Sequence, residues 1–449
     1  MTAGALGHVG GPSGQPFFGH LQAFRKDRLR LLDDCLEAPG DVVELRIGRP
    51  AFVLKRPEDI RHVFVTRRDG YAKSRRNVGP RAKRIFGDGL MTSAEAPHRP
   101  MRRRVQPVFR ERSIARLGDG FVRGVDAMVD RWRDLEEIDL ADEMTALSLR
   151  MMVSATFGVE SGTALAILGE GLAARRGAMS RTFDSLIELP GFVPLTLSPR
   201  RRRAIGELDR HVDLAIRERR DRAGEGGDLL AMLIGTYNGS GASDPERVRG
   251  EVLTLVLAAY ENVARTLTWT LLALTRDRDV EAELRDEVHR VLGDSRPTGA
   301  CRELRYTDMV IAESMRLWPP TPLVFRVALE DDVLPTGTSI PAGSKLLISP
   351  YIVQRDPRNF PDPERFDPRR FEEQERRERP HFAYFPFGGG PRVCIGRTLA
   401  TLQCRLVLAR IAQRVRLELA GGAPAYACGC LPPGFGPTMR VRSTGDSKA

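Results

Sequence analysis

The stretch from Glu246 to about Thr275 constrains the fold most, because its helical pattern continues without a break for roughly 30 residues, or about 45 Å. Asp244 and Pro245 precede it as a helix cap and a first-turn proline. A helix of this length crosses an entire domain. Glu261 and Arg265 divide its apolar residues, so we expect a core helix and not a membrane span.

Around this helix the sequence predicts a mainly α-helical chain with small β-sheets. Helical patterns, which dominate the chain, are predicted at residues 21–37, 97–290 (with breaks at 191–199 and 224–243) and 397–415. β-Rich runs are predicted at residues 42–47, 51–55 and 323–350, and the first two are expected to form a hairpin. We expect one domain over residues 1–449, with a Gly/Pro-rich lead-in at 1–20 and a flexible tail at 444–449.

The charge balance limits the classes of partner. Seventy Lys and Arg against 59 Asp and Glu give a formal net charge of +11, and arginines cluster at 102–104, 200–203 and 376–377. Such a field favours acidic partners. No helix-turn-helix, zinc-finger or aromatic RNA-reading motif accompanies the clusters. We therefore expect no nucleic-acid partner.

The six cysteines, at 35, 301, 394, 404, 428 and 430, do not form the pattern of a disulfide framework. Cys428 and Cys430 are too close for the usual zinc or redox spacing, and no second pair completes a site. The N-terminal residues carry neither a signal-peptide pattern nor a membrane-spanning run. These features predict a cytoplasmic protein without a membrane span.

The strongest chemical signal is the segment at 387–396, Phe-Gly-Gly-Gly-Pro-Arg-Val-Cys-Ile-Gly. A helix is predicted just after Cys394, and its free N–H groups and positive end favour a thiolate. Glycines at 388–390 and 396 remove side chains where the backbone must approach a flat ligand. The alternative is a buried, inert cysteine beside a glycine-rich turn, the usual state of a lone cysteine.

This segment resembles the haem-binding loop of the cytochrome P-450 family, Phe-x-x-Gly-x-Arg-x-Cys-x-Gly, at Phe387, Gly390, Arg392, Cys394 and Gly396. The resemblance implies a P-450 fold, with haem b between the long central helix and the cysteine loop. It makes Cys394 the proximal thiolate ligand of the iron. Arg392 is placed to neutralise a haem propionate.

A second element of the resemblance is Glu313 and Arg316, which match the family's Glu-x-x-Arg pair. Other Glu/Arg pairs have the same spacing, but only this one stands about eighty residues before the cysteine loop. The family pattern implies Arg370 as the third member of a buried network. The family's Pro-Glu-Arg-Phe element, which places this third arginine, also matches one step earlier, at residues 363–366. The implied role of the network is structural and affects haem incorporation.

The resemblance also implies three further haem contacts. His98 and Arg102 lie four residues apart, so they share one side of a helix, and the family places a haem-propionate contact at each position. Arg326 occupies the position of another propionate-binding arginine. For each, the alternative is a solvated surface charge.

In the long helix the sequence departs from the family. Ala259 replaces a glycine, and Asn262 replaces the threonine whose hydroxyl normally takes part in proton delivery during oxygen activation. An amide donates from nitrogen and accepts at oxygen, so it does not relay a proton as a hydroxyl does. We hypothesise that Glu261 supplies protons through water or a substrate hydroxyl while Asn262 positions oxygen, with Thr266 as a further participant. The alternative is a helix kink that satisfies its own polar groups.

The resemblance implies a monooxygenase that inserts one oxygen atom from O2 into a small, largely apolar organic substrate, and we expect it to act in secondary-metabolite biosynthesis. No nucleotide-binding fingerprint is present, so an acidic ferredoxin and its reductase are expected to supply electrons at a basic surface that includes Arg99, Arg103, Arg397 and Arg405. Because of Asn262, a peroxide-driven, oxidative-coupling or redox-neutral enzyme stays open, as does a non-catalytic haem sensor.

The sequence does not name the substrate. Its identity is expected to depend on residues 71–91, 171–197 and 321–325 and on the middle of the long helix. Basic residues that would attract an anionic substrate, if they do not simply belong to an exposed loop, are Arg75, Arg76, Arg81, Lys83 and Arg84.

Overall fold

Helices dominate the computed structural model of the protein, which describes residues 11–15, 19–47, 49–158, 162–184, 198–221, 227–238, 245–299, 301–421 and 436–443. In chain order the α-helices are α1 Leu21–Lys26, α2 Arg28–Glu37, α3 Pro57–Arg61, α4 Arg75–Val78, α5 Pro80–Phe86, α6 Glu95–Val105, α7 Glu111–Ala115, α8 Gly118–Trp132, α9 Leu140–Phe157, α10 Gly162–Asp184, α11 Pro199–Asp221, α12 Leu229–Asn238, α13 Pro245–Arg276, α14 Arg278–Leu292, α15 Arg305–Leu317, α16 Pro350–Val353, α17 Glu373–Glu378 and α18 Arg397–Arg414.

The strands are short and form three small sheets. They are β1 Val42–Ile47, β2 Arg49–Leu54, β3 Tyr71–Ala72, β4 Glu137–Asp139, β5 Val324–Ala328, β6 Asp332–Val333, β7 Ser339–Ile340, β8 Lys345–Ile348, β9 Val415–Leu419 and β10 Thr438–Ser443. The largest sheet has the order β1-β2-β8-β5-β3, and the smaller ones are β4-β10-β9 and β6-β7.

The predicted long helix is confirmed as α13, which has 32 residues. Its Val252, Leu267 and Leu272 side chains are completely buried, and the helix packs against α9, α15 and α18. The predicted cap Asp244 lies outside the described residues. Within the part of the chain that the structure describes, no helix has both the length and the apolar character to cross a membrane.

The predicted hairpin is also confirmed. β1 and β2 pair antiparallel, from Val42 opposite Leu54 to Ile47 opposite Arg49. β2 then pairs parallel with β8, which lies in the second predicted β-rich stretch, and β8 pairs antiparallel with β5. The sheet thus joins two segments that are about 300 residues apart.

Three predicted boundaries were wrong. The break predicted at 224–243 contains α12, where Leu229, Leu233 and Tyr237 recur on one buried face. The helix predicted at 21–37 is two helices, because Asp27 leaves helical geometry and caps α2 by accepting the Arg30 N–H. β4 interrupts the region predicted to be helical. The tail at 444–449, Cys428 and Cys430, and the break at 191–197 lie outside the described residues.

The Glu313–Arg316 network is completely buried next to the cysteine loop. Arg316 donates from Nε and Nη2 to the Glu313 carboxylate at 2.6 and 2.8 Å, and from Nη1 to the Gln354 carbonyl at 2.9 Å. Arg370 Nε lies 3.6 Å from Glu313 Oε1, while Arg365 contributes only its backbone carbonyl. The structure therefore places Arg370 as the third member. Gln354 in turn accepts the Phe385 N–H at 3.0 Å, two residues before the cysteine segment begins.

We expect Glu313→Ala to destabilise the protein by roughly 3–5 kcal/mol, because it leaves Arg316 buried without a counter-charge. Glu207→Ala is the matched control, since Glu207 and Arg210 form an exposed pair with the same spacing, and it should cost about 0.5 kcal/mol or less. Urea unfolding of the haem-loaded protein measures both. Equal losses in the two variants would show that burial of the pair contributes nothing, and Glu313→Gln repeats the test if the alanine variant does not fold.

Candidate active site

The cysteine segment forms a closed loop between the large sheet and α18. The Cys394 N–H donates to the Phe387 carbonyl at 2.9 Å and closes the loop. Arg102 of α6 donates from Nη1 to the Val393 carbonyl at 2.7 Å and ties the loop to a second helix. α18 begins three residues after the cysteine, as the sequence predicted, so the backbone around Cys394 is held at both ends.

Two of the loop glycines are required by packing. Gly390 has a φ of +64°, and a Cβ there would collide with the Phe64 carbonyl. A Cβ on Gly389 would collide with the ring of Phe382. These positions therefore allow the loop to approach the neighbouring elements closely, in addition to the approach to a flat ligand that the sequence suggested.

A cavity of about 350 Å³ separates this loop from the long helix. Nine of the residues predicted to form the site line it, namely Cys394, Phe387, Arg392, Gly396, His98, Arg102, Arg326, Ala259 and Asn262. Gly390 and Glu261 are not among its lining residues. Gly390 instead packs on Phe64, and Glu261 pairs with Arg265, whose Nη2 lies 3.8 Å from Glu261 Oε2.

Cys394 exposes its side chain, and the surface that it exposes lies in this cavity. Burial among the surrounding protein atoms raises the pKa of the thiol, while the N–H of Gly396 and the positive charge of Arg102 lower it. Burial has the larger effect. The predicted stabilisation of a thiolate by the helix end is therefore real but insufficient in the protein alone. A coordinated metal ion deprotonates a thiol outright.

One wall of the cavity concentrates positive charge. Lys73, Arg102, Arg326 and Arg392 all line it, and the only carboxylate that pairs with any of them among the described residues is Glu95, which lies 2.9 Å from Arg392 Nη2. Burial lowers the pKa of Lys73 to about 7 and that of Arg326 to about 10, with Arg392 adding to both shifts. The wall holds more cations than its own carboxylate balances.

His98 lies within the same wall and is almost completely buried. Burial, with smaller contributions from the positive charges of Arg392, Arg102 and Lys73, lowers its pKa to about 3. The imidazole is therefore neutral at physiological pH. It is available to the cavity as a neutral hydrogen-bonding group and adds no charge.

The opposite wall is formed by the middle of α13. Asn262 donates from Nδ2 to the Ala258 carbonyl, one turn earlier, at 2.7 Å, and Thr266 donates from Oγ1 to the Asn262 carbonyl at 2.9 Å. The Asn262 Oδ1 atom makes no hydrogen bond with the residues that the structure describes. Both Asn262 and Thr266 line the cavity. The amide thus satisfies its donor within the helix and leaves its acceptor for a ligand.

Comparison with known proteins decides the family. The cytochrome P450 family model matches residues 9–425. The chain belongs to this family. Similar proteins include cyclooctatin synthase of Streptomyces melanosporofaciens, 35% identical with 92% of this chain and 90% of the relative covered. Cyclooctat-9-en-7-ol 5-monooxygenase of the same organism is 33% identical (91% and 89% covered), and pentalenene oxygenase of Streptomyces avermitilis is 29% identical (91% of each covered).

The fold agrees with solved structures of P450 proteins. The haem domain of cytochrome P450DA superimposes with a TM-score of 0.82 over 97% of each chain, at 24% sequence identity. The mainly helical P450 fold predicted from the sequence is thereby confirmed. The protein is a P450-type monooxygenase, and its cofactor is haem b.

The residues in the cavity fit haem b. A haem carries two propionates, and this P450 presents four basic side chains with one carboxylate on one wall. Nη1 of Arg392 is buried without a hydrogen-bond partner among the described residues, as expected of a group that awaits an anion. Cys394, in the same loop as Arg392, would supply the soft ligand that iron requires.

Lys73 is the lining cation that sequence analysis missed. Its Nζ donates to the Met91 carbonyl at 2.7 Å, and its side chain is partly buried. The basic residues that the sequence singled out nearby, Arg75, Arg76, Arg81, Lys83 and Arg84, do not line the cavity. Lys73 belongs to no motif, and only the pairing of β3 with β5 brings it beside Arg326.

We expect Arg102→Gln to accelerate haem loss by about tenfold or more, because a charged hydrogen bond contributes roughly 1.5–3 kcal/mol. The control is Arg99→Gln, an exposed arginine on the same helix, which should change the rate less than about twofold. Transfer of haem to apomyoglobin, followed by absorbance, measures the rates. Equal rates in the two variants would remove Arg102 from the haem contacts.

Proposed function

We propose that this cytochrome P450 oxidises a terpenoid, using O2 and electrons from a separate acidic ferredoxin and its reductase. The haem-proximal thiolate would be Cys394, and Lys73, His98, Arg102, Arg326 and Arg392 would hold the propionate side. The supporting observation is the combination of a thiol and a cationic wall across one cavity from α13.

The lining on the substrate side of the cavity favours binding of an apolar molecule. Its lining there consists mainly of hydrocarbon side chains, including Leu90, Met91, Leu255, Ala258, Val263, Met315 and Val324. Such walls favour a hydrocarbon skeleton through the hydrophobic effect. Two of the relatives are named as oxygenases of cyclooctat-9-en-7-ol and pentalenene. A terpenoid substrate agrees with both observations.

When bound, haem supplies the oxidising chemistry, in which one atom of O2 enters the substrate and the other leaves as water after two electrons and two protons are taken up. Asn262 contributes an acceptor at Oδ1, and Thr266 lies one turn farther along. Glu261 lies outside the lining with Arg265 beside it. We propose that Glu261 receives protons near the surface and that water carries them past Asn262.

A panel of terpenoid, polyketide and aromatic compounds, titrated for a haem spin-state change, tests the substrate class. We expect a cyclic terpene hydrocarbon or monoalcohol to give the largest shift, because the lining is apolar with few polar groups. Turnover of that compound should need O2, a ferredoxin and its reductase. Turnover with hydrogen peroxide alone at an equal rate would favour the peroxide-driven alternative that Asn262 raises.

The electron donor is proposed to bind on the basic surface near the cysteine loop. Arg103 and Arg397 are exposed there, as is Arg112 on α7, which packs against α18. Arg405, also predicted to take part, instead pairs bidentately with Asp308 at 2.7 Å.

Arg397→Glu should weaken ferredoxin-supported turnover and reduce its salt dependence, whereas Arg201→Glu on α11 should change neither.

We expect Asn262→Thr to reduce peroxide release per electron consumed, because threonine both accepts and donates through one atom and so completes a proton relay. Asn262→Ala should increase that release. Thr275→Ala, on the same helix but outside the cavity lining, is the control. Product and peroxide are quantified against NADH consumed. Unchanged ratios in both Asn262 variants would overturn the positioning role of this residue.

A further inference from the structure

A buried glutamate on α13 contacts the backbone of the cavity wall. Residues 87–92, here named the wall segment, connect α5 to α6 and include Leu90 and Met91, which line the cavity. The Leu90 N–H donates to both carboxylate oxygens of Glu251, at 3.0 and 3.1 Å. Glu251 is 4% exposed. It lies 10 positions before Glu261 in the sequence and is absent from the cavity lining.

We propose that Glu251 is a positioning residue that holds the wall segment against α13 and thereby sets the shape of the substrate side of the cavity. Its relevance to the substrate rests on the proposed function. The contact between Glu251 and Leu90 does not depend on that function. Glu251 belongs to no motif that the sequence analysis identified.

The wall segment sits on α13 with almost no space between the two backbones. A Cβ on Gly250 would lie 2.8 Å from the Asp88 carbonyl, and a Cβ on Gly89 would lie 3.0 Å from Gly250. Gly87 has a φ of +83°, which favours glycine. Thr254, one turn along α13, donates from Oγ1 to the Phe86 carbonyl at 3.1 Å. Glu251 thus lies in the middle of a continuous contact.

Few charges face the Glu251 carboxyl. Tyr237 of α12 donates to its Oε1 at 3.4 Å, and the Arg104 guanidinium of α6 covers that tyrosine ring at 5.0 Å. Asp88 on the wall segment opposes ionisation, and Arg247, one turn earlier on α13, favours it. None of these groups forms an ion pair with Glu251 in the described part of the chain.

Burial raises the pKa of Glu251 from 4.5 to about 7, against the lowering effect of the Leu90 N–H and the Tyr237 hydroxyl. When the wall segment leaves α13, water reaches the carboxyl and its pKa falls toward the ordinary value. The docked state therefore binds the proton more tightly than the open state. Docking is strongest below about pH 4.5 and weakens as the pH rises to about 7.

Hydrogen–deuterium exchange of the haem-loaded protein tests the contact without any substrate. After correction for the intrinsic rate, we expect protection of peptides covering residues 87–92 to fall by roughly threefold or more between about pH 5.5 and about pH 7.5, within the limit of about tenfold per pH unit for one group. Glu251→Gln keeps the acceptor for Leu90 and does not ionise, so its protection should fall clearly less than that of the wild type over this range. Lys73, which donates to the Met91 carbonyl and also has a pKa of about 7, is present in both proteins and therefore contributes equally to both profiles.

Glu287→Gln is the matched control, because Glu287 is also buried and accepts the N–H groups of Tyr306 and Thr307 at 2.7 and 2.8 Å, away from the cavity. It should retain the wild-type pH profile of the wall segment. The same profile in the wild type and in Glu251→Gln would overturn the proposal. Protection of the wall segment that does not change with pH in the wild type would also overturn the proposal, and this measurement needs no variant.

An azole pair gives a second readout of cavity shape. Imidazole binds haem iron through nitrogen, and 4-phenylimidazole adds a ring that reaches the walls. The quantity compared is the affinity for 4-phenylimidazole divided by the affinity for imidazole. We expect this ratio to be about threefold higher in Glu251→Gln than in the wild type at about pH 7.5, and the same in both proteins at about pH 5.5. Equal ratios at both pH values would overturn the effect on cavity shape. Neither assay depends on a terpenoid substrate, so failure of the proposed function leaves both interpretable.

Discussion

Helix α13 is the constraint on which the site depends. Its 32 residues pack against α9, α15 and α18, and its middle forms the wall opposite Cys394. Because the helix is held along its length by buried apolar side chains, the distance between it and the cysteine loop is set by packing of the whole core. The cavity is the space that this packing leaves.

The loop on the other side is held independently. The buried Glu313 and Arg316 pair connects α15 through Gln354 to Phe385, and Arg102 connects α6 to Val393. Glycines at 389 and 390 let the loop seat against Phe64 and Phe382. A charged network and close backbone packing therefore fix Cys394 from two directions.

Positive charge is in excess at the site, where four basic side chains have one carboxylate among them. Burial is the main cause of the lowered pKa of Lys73, and the positive charges of Arg392 and Arg326 add to it. An anionic cofactor relieves this repulsion. Burial raises the pKa of the Cys394 thiol in the protein alone, and a bound metal ion would displace the thiol proton. The folded chain is thus complementary to a dianionic ligand that carries a metal.

The sequence by itself determined the elements whose signals are local. The length of α13 follows from uninterrupted helical periodicity, the β1–β2 hairpin from two apolar runs around a turn, and the loop around Cys394 from a motif of ten residues. α12 was missed because a ten-residue helix lies between polar stretches that resemble one long break. Local patterns predict elements when one segment contains the whole signal.

Only the tertiary structure decided which side chains meet. Lys73, whose position depends on pairing between strands more than 250 residues apart, joins the cationic wall. Glu261 pairs with Arg265 and stays outside the cavity lining, and Arg405 is neutralised by Asp308. Glu251 reaches Leu90 across 161 positions. These contacts depend on how helices and strands pack in space, so the distant partner of each residue cannot be predicted from the sequence around it.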